Sequence, residues 1–464
     1  MLKRSIIIFA AAAALGVSTS GISTTHPSAD SIGQAKISLA AKAVKASKSK
    51  KSHKKVRRVK KRTVKKVKQT RKAKKKVKKP KKKVKRAKKK VVKAKKAAPK
   101  IRKTAPKGVK RSQSQKASAS MTKFVKSTLN KYHLRGRVTV VQNYRPQTIG
   151  YGYAWYGKRI FNNSSRVVYP TGSMQKVATG AMIVQLINEK LHTNQKFSQY
   201  TKISRWYPNL KNANQITVGE LMTQTSGIRL GNTELDRKYR YSETSAVNYI
   251  VNQVNRSSVA QPGTYHYTNA NFILLAGIIS KLTGQSYAAN LNSRIIRPLG
   301  LTNTYLLQNV PRGKTDAISY IWRNGKNYQS PNYMRQTQAS QIVGAGNLYT
   351  TPDDFYKILQ GVSNGRILSN SDFHYLTHLK AKKTSYSGGL YLKNVGNRGQ
   401  VKMAYGSISG NHYSSWYQLT DDNGNGIVMM LNQTYNNGEG YENTAKDAGY
   451  EILQHIQAGR FSRR

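Results

Sequence analysis

Val167-Val168-Tyr169-Pro170-Thr171-Gly172-Ser173-Met174-Gln175-Lys176, continuing into Val177-Ala178-Thr179-Gly180-Ala181-Met182-Ile183-Val184-Gln185-Leu186-Ile187, reads as a β-rich run, a Thr-Gly turn and a helix that is apolar nearly all round. A helix of that kind belongs in the middle of a fold. Ser173 stands at its head and Lys176 lies three residues on, so both side chains are expected on one helix face. A serine hydroxyl is a poor nucleophile until a base takes its proton. A lysine can be that base where burial and neighbours lower its pKa. The helix N-terminus adds backbone N–H groups that can stabilise a developing oxyanion. The spacing alone is weak, because Ser47/Lys50, Ser52/Lys55 and Ser120/Lys123 share it. Taken without other motifs, Ser173 reads equally well as a helix cap and Lys176 as a solvated first-turn residue.

Outward from this helix, residues 121–134 have helical spacing. Residues 137–142 and 148–155 read as strands joined by a turn containing Pro146. From about residue 191 to 306 the pattern is mostly helical. There Thr217-Val218-Gly219-Glu220 is a capping box opening a short helix that ends at Thr225-Ser226-Gly227. Residues 272–282 read as an amphipathic helix closed by Gly284. Thr351-Pro352-Asp353-Asp354 opens another helix, with Pro at its first position. Strands return at 401–405, 414–420 and 427–431, before a C-terminal helix through Leu453. Strands at both ends around a helical insert imply an α/β fold with a helical subdomain. Asp421, Asn423, Asn425 and Gly426 match the opening of a calcium loop, but Asn432 stands where the closing Glu belongs, so a hairpin turn is expected. No metal and no cofactor are expected.

The 464 residues carry a net charge of +67 and no cysteine, which excludes a disulfide staple and a lipidated-cysteine anchor. About half of the basic residues lie in 42–116, a run of Lys, Arg, Ala and Val, and no Asp or Glu occurs between Asp30 and Glu189. Such a run cannot offset its ordering entropy and self-repulsion, so it is expected to be disordered. Lys3 and Arg4, the apolar residues 5–17 and the small residues Ser18-Thr19-Ser20-Gly21 read as a secretory signal peptide over residues 1–29. No later segment is apolar enough to cross a membrane. The segment 30–118 is then a disordered Lys-rich stretch on an exported protein.

Further motifs stand in order along the chain. Pro262-Gly263 leads to Tyr267-Thr268-Asn269-Ala270-Asn271-Phe272, then Leu275-Ala276-Gly277-Ile278-Ile279 and Leu282-Thr283-Gly284. This resembles the Tyr-x-Asn second motif of class C β-lactamase-like serine hydrolases, within the penicillin-binding-protein and β-lactamase superfamily. Ile216-Thr217-Val218-Gly219-Glu220-Leu221-Met222-Thr223-Gln224-Thr225-Ser226-Gly227-Ile228, Ile296-Arg297-Pro298-Leu299-Gly300-Leu301-Thr302-Asn303-Thr304 and Gly344-Ala345-Gly346-Asn347-Leu348 resemble other family segments in the family's order. The resemblance covers nearly all of 121–460. It implies a β-lactamase/transpeptidase-like fold over residues 119–464, an antiparallel sheet flanked by helices plus a helical subdomain. It also implies an acyl-enzyme on Ser173 with Lys176 as base, Tyr267 as the second proton-transfer group and Asn269 positioning substrate and Lys176. The residues agree in kind: a tyrosine beside an ammonium is favoured as phenolate and can accept a proton.

The third motif departs. The family has Lys or His, then a small residue, then Gly; the best match here is Ile408-Ser409-Gly410, with Ser407-Ile408-Ser409 as the shifted alternative. Under the first alignment Ser409, Gly410 and Asn411 line the substrate site and Asn411 supplies the second oxyanion N–H. Neither alignment brings a cation for a substrate carboxylate. His412 reads as a loop residue. The expected function is therefore an exported serine hydrolase acting on D-alanyl esters or amides of the bacterial cell wall, similar to the teichoic-acid D-alanine esterase branch. Its partners are a cell-wall polymer substrate and, through residues 42–116, anionic wall polymers or lipid headgroups, which places it at the cell wall or cell surface. Nucleic acid is not expected, since no aromatics interleave the basic run. Two alternatives stay open: a D-Ala-D-Ala carboxypeptidase or β-lactamase-like enzyme, and a non-catalytic wall-binding protein on a degenerate hydrolase fold.

Overall fold

The computed structural model describes residues 118–236, 238–380, 384–394, 400–408, 412–438 and 440–461, with side chains to residue 456. The signal-peptide and polybasic expectations, and those for Ser409, Gly410 and Asn411, lie outside the described residues.

Helix α1 (Ala119–Lys131) is capped by Ser118, whose Oγ accepts the Met121 N–H at 3.2 Å. Strands β1 (Arg135–Gln142) and β2 (Arg145–Tyr151) follow as an antiparallel hairpin. Its turn is Asn143-Tyr144, with φ of 50° and 65°, the left-handed pair that a two-residue hairpin requires. The turn expected at Pro146 is therefore displaced: Pro146 pairs with Val141 inside the ladder. Its missing N–H is tolerated there because β2 ends the sheet.

The main sheet has nine strands. Its path runs Tyr386–Ser387, β3 (Leu390–Asn394), β4 (Gln400–Ile408), β5 (Tyr413–Thr420), β6 (Gly426–Thr434), β1 and β2, each neighbour antiparallel. Strand Ser319–Arg323 joins the end of β6 in parallel and pairs with Lys326–Asn332. The strand period of two sorts the sheet's side chains. Met403, Trp416, Ile427, Met429 and Leu431 pack with Val125 and Leu129 of α1 and Ala448 and Ile452 of the C-terminal helix Tyr441–Phe461. Ala404, Ile408, Tyr417, Leu419, Val428 and Met430 face the other way, into the larger core shared with the helical part.

That larger core is centred on two helices. A 3-10 turn, Gly172–Gln175, leads into α2 (Lys176–Lys190), so the expected helix begins with a tighter turn. Helix α3 (Asn269–Thr283) is capped by Thr268 and closed by Gly284 at φ 67°. It was expected to be amphipathic; instead residues 270–279 are all buried. The reason is its position: α2 and the helices Val218–Met222 and Glu243–Arg256 all pack against it. The capping box at Thr217 and Glu220 is present, but the helix ends at Met222, so Thr225-Ser226-Gly227 lies beyond it. The stretch after β5 is a hairpin turn in which Asp422 Oδ1 accepts the Gly424 N–H at 2.8 Å. Among the described residues no group of His, Cys, Asp or Glu could hold a metal.

Gly449 on the C-terminal helix packs on buried Trp416: a Cβ there would lie 2.0 Å from the indole Cζ3. Alanine favours helix over glycine by about 1 kcal/mol, whereas overpacking a filled core costs about 1–3 kcal/mol. Gly449→Ala is expected to lower the thermal unfolding midpoint despite its better helix propensity. An unchanged or raised midpoint would show that Trp416 can shift.

Candidate active site

The sheet presents an open stretch of edge to the turn that carries Ser173. Pairing of β4 with β3 runs from Gln400 to Met403 and stops. Beyond it, β4 lies against the turn 172–175. A Cβ on Gly406 would stand 2.7 Å from the Ser173 N and 2.2 Å from the Thr171 O. Gly172, at φ 50°, is equally constrained, since a Cβ there would meet Gly406 Cα at 3.2 Å and Ser407 N at 3.3 Å. Two glycines thus let backbone approach backbone. The turn is fixed from behind by Gln175, whose Nε2 donates to Tyr287 OH at 3.2 Å and whose Oε1 accepts the Leu348 N–H at 2.9 Å.

Lys176 has no exposed surface. Its Nζ lies 2.9 Å from Ser173 Oγ, 2.7 Å from Asn269 Oδ1 and 2.9 Å from the Ala345 carbonyl oxygen. Desolvation lowers its pKa to about 7, against an opposing pull from the Glu234 charge. A neutral amine has two N–H bonds and one lone pair. Asn269 Oδ1 and Ala345 O can only accept, so they take the two hydrogens, which leaves the lone pair facing Ser173. The arrangement can therefore receive the hydroxyl proton without moving a heavy atom.

Tyr267 brings its ring centroid to 5.0 Å from the Lys176 Nζ and its phenol close to Ser173. It keeps 37 % of its surface exposed. Protein nevertheless crowds the phenol, and desolvation, with Tyr391, Tyr405 and Glu234 nearby, pushes its pKa well above the usual value despite the Ser173 contact. The phenolate expected from the sequence is thereby corrected. The group beside it is an amine titrating near neutrality rather than a permanent ammonium, so burial favours the protonated phenol, which can donate a proton.

The structure brings Ser173, Lys176, Tyr267 and Asn269 together. Ile408 is 6 % exposed and turned into the core, while Ser407 is exposed. The strand position against the Ser173 N–H is Gly406, two residues before the first alignment of the third motif. Gly406 was passed over, although a lone glycine in a strand marks close backbone approach. His412 lies between β4 and β5, at φ 55°, as expected of a loop residue. Glu234 was also missed. It ends the 3-10 turn Gly231–Glu234, and its Oε2 accepts Asn269 Nδ2 at 2.7 Å. No spacing rule points from one to the other across 35 residues.

A sheet with a helical half, and a buried lysine against a serine at a helix head, define a serine hydrolase of the β-lactamase and penicillin-binding-protein type. Residues 121–450 match the beta-lactamase family, and the chain belongs to it. It is 27 % identical over 321 residues to the teichoic acid D-alanine hydrolase of Staphylococcus aureus, covering 68 % of this chain and 73 % of that protein. It is 25 % identical over 335 residues to the putative penicillin-binding protein PbpX of Bacillus subtilis, covering 71 % and 78 %. The crystal structure of FmtA from Staphylococcus aureus superposes with a TM-score of 0.59 at 23 % identity, covering 79 % of this chain and 94 % of that one. The D-amino acid amidase from Ochrobactrum anthropi SV3 superposes with a TM-score of 0.61 at 20 % identity, covering 74 % and 100 %. The two superpositions speak for the fold.

Burial of Lys176 has a direct readout. NMR of the lysine side-chain carbons is expected to show one residue titrating near 7, lost in Lys176→Met, while exposed lysines titrate at about 10.4. A Lys176 signal titrating with the exposed set would contradict the burial.

Proposed function

We propose that this chain is an exported serine hydrolase that removes D-alanine from esters on an anionic wall polymer through an acyl-enzyme on Ser173. The observation that carries the proposal is the Lys176 amine, whose two N–H bonds are committed to Asn269 and Ala345 and whose third position faces Ser173 Oγ. Ser173 Oγ attacks the ester carbonyl as Lys176 takes its proton, and the tetrahedral oxyanion is held by the Ser173 N–H and a second N–H from the end of β4. As the C–O bond breaks, the polymer's alkoxide takes a proton from Tyr267, and Lys176 restores that proton. Water then attacks the D-alanyl ester of Ser173 as Lys176 takes its proton, Lys176 passes that proton to Ser173 Oγ as the acyl C–O bond breaks, and D-alanine leaves.

The substrate class rests on two supports. One is likeness to a teichoic acid D-alanine hydrolase. The other is charge: Ser407 and Ile408 offer no cation where the family has one, so a substrate with a free carboxylate lacks a charge-assisted contact worth about 1.5–3 kcal/mol. A D-alanyl ester has no such carboxylate. It hangs on a polyphosphate chain, which residues 42–116 attract by polyelectrolyte attraction and counterion release. That attraction holds the exported chain at the wall.

Ser173→Ala is expected to abolish both fluorophosphonate labelling and D-alanine release, and Lys176→Ala to slow acylation by about 10²–10⁴-fold. Labelling of Ser173→Ala at another serine would overturn the assignment. D-alanine should be released faster from D-alanylated teichoic acid than from a muropeptide ending in D-Ala-D-Ala. The reverse order would restore a carboxypeptidase.

Deletion of residues 30–118 should leave turnover of a small soluble ester unchanged and sharply reduce retention on isolated walls. Retention of the full chain should weaken as salt rises. Wall binding indifferent to salt would count against the polybasic segment as the docking element.

A further inference from the structure

Asn269 is useful to Lys176 in only one of its two amide orientations. With Oδ1 toward Nζ it accepts; turned over, its NH₂ would oppose the amine's hydrogens. On the far side of Asn269 stands Glu234. Its Oε2 accepts Asn269 Nδ2 at 2.7 Å, and its Oε1 accepts the Ala270 N–H at 2.9 Å and the Thr268 hydroxyl. An ionised carboxylate can only accept hydrogen bonds, so it selects the Asn269 orientation by chemistry. The same carboxylate sits at the N-terminus of α3, where backbone N–H groups and the helix dipole favour a negative charge.

We propose that Glu234 is the positioning residue of the Ser173–Lys176 pair: it locks the Asn269 amide so that the lysine lone pair faces Ser173. The proposal rests on Ser173 and Lys176 being nucleophile and base. Glu234 acts through Asn269 and touches no reacting atom. Its charge has a second effect, because it opposes the desolvation that weakens Lys176 as a base. The titratable groups facing the pair are Tyr267, against Lys176 and Ser173, and Glu234 itself; facing Glu234 are His266 and, next to His266, Arg229. Burial holds His266 below its ordinary value and Tyr267 above it. Among these, only Glu234 is a carboxylic acid.

The test is the pH dependence of fluorophosphonate labelling in the full chain, with Ser173→Ala as control. Wild type should label faster as pH rises through about 7, where Lys176 loses its proton. Glu234→Gln keeps an acceptor but loses the charge, so the acid limb should move to lower pH by about 1 unit. Glu234→Asp keeps the charge, so its limb should stay near wild type while the plateau rate falls. Glu234→Ala should slow labelling about tenfold or more in wild type, and by less than about twofold when Asn269 is already Ala, because the two residues act as one unit. Thermal unfolding of each variant separates lost folding from lost positioning. An acid limb unmoved in Glu234→Gln, or equal losses with and without Asn269, would overturn the proposal. Labelling that survives in Ser173→Ala would instead overturn the reading of the pair on which it rests.

Discussion

The structure depends on burying one amine. An ammonium taken out of water costs several kcal/mol unless it is neutralised or fully hydrogen-bonded. Lys176 does both: its pKa falls to about 7 and its Nζ meets three oxygens. Those oxygens come from three separate segments, so satisfying one atom ties the Ser173 turn, the first residue of α3 and the loop at Ala345 to a single point. The start of α2 is crowded on a fourth side. A Cβ on Gly389 would stand 2.3 Å from the Lys176 carbonyl carbon, and its φ of 104° admits glycine readily and other residues at a cost. Strand β3 can reach the helix only because that position is bare.

The second constraint is the sheet edge. An unpaired strand edge normally invites aggregation or is covered. Here β4 runs past the end of β3, and the turn 172–175 covers the exposed stretch without pairing as a strand. The Ser173 N–H is thereby brought to the edge of β4, where a substrate carbonyl can meet donors from both. The geometry needs glycine on both sides, at 172 and 406, and it explains how a third motif without its usual cation leaves the rest of the site intact. The backbone makes the contact, and side chains at 407 and 408 can vary.

Local chemistry made much of this legible in advance. The caps at Thr217 and Thr351, the closing Gly284 and the hairpin at Asp421–Asn425 are short-range features, and each stands where its residues predict. Ser173, Lys176, Tyr267 and Asn269 were legible because the first pair shares one helix and the second pair a motif. Three things were not. The turn fell at Asn143-Tyr144 because left-handed φ outweighed the nearby proline. The sides of α3 could not be ranked from its own residues, since burial on every face is decided by three other helices. Glu234 left no local trace, because its partner is 35 residues away and only the fold brings them together.

A second serine–lysine pair in the same molecule shows what the first pair has beyond proximity. Lys402 on β4 is 1 % exposed, its pKa is also lowered to about 7 by desolvation, and its Nζ lies 3.0 Å from Ser363 Oγ. Burial, basicity and distance are therefore nearly matched. The hydroxyls differ. Ser363 donates its proton to the Leu359 carbonyl at 3.1 Å and accepts from Asn423 Nδ2 at 2.8 Å, so it has no proton to offer the lysine. It also ends the helix Pro352–Ser363, where the helix dipole and free carbonyls repel a developing oxyanion. Ser173 occupies the opposite end of its helix, with N–H groups ahead of it, Lys176 on its oxygen and the Tyr267 phenol close by. A depressed lysine pKa is thus common to both sites. The direction of the serine proton and the polarity of the helix end separate the proposed nucleophile from a structural serine.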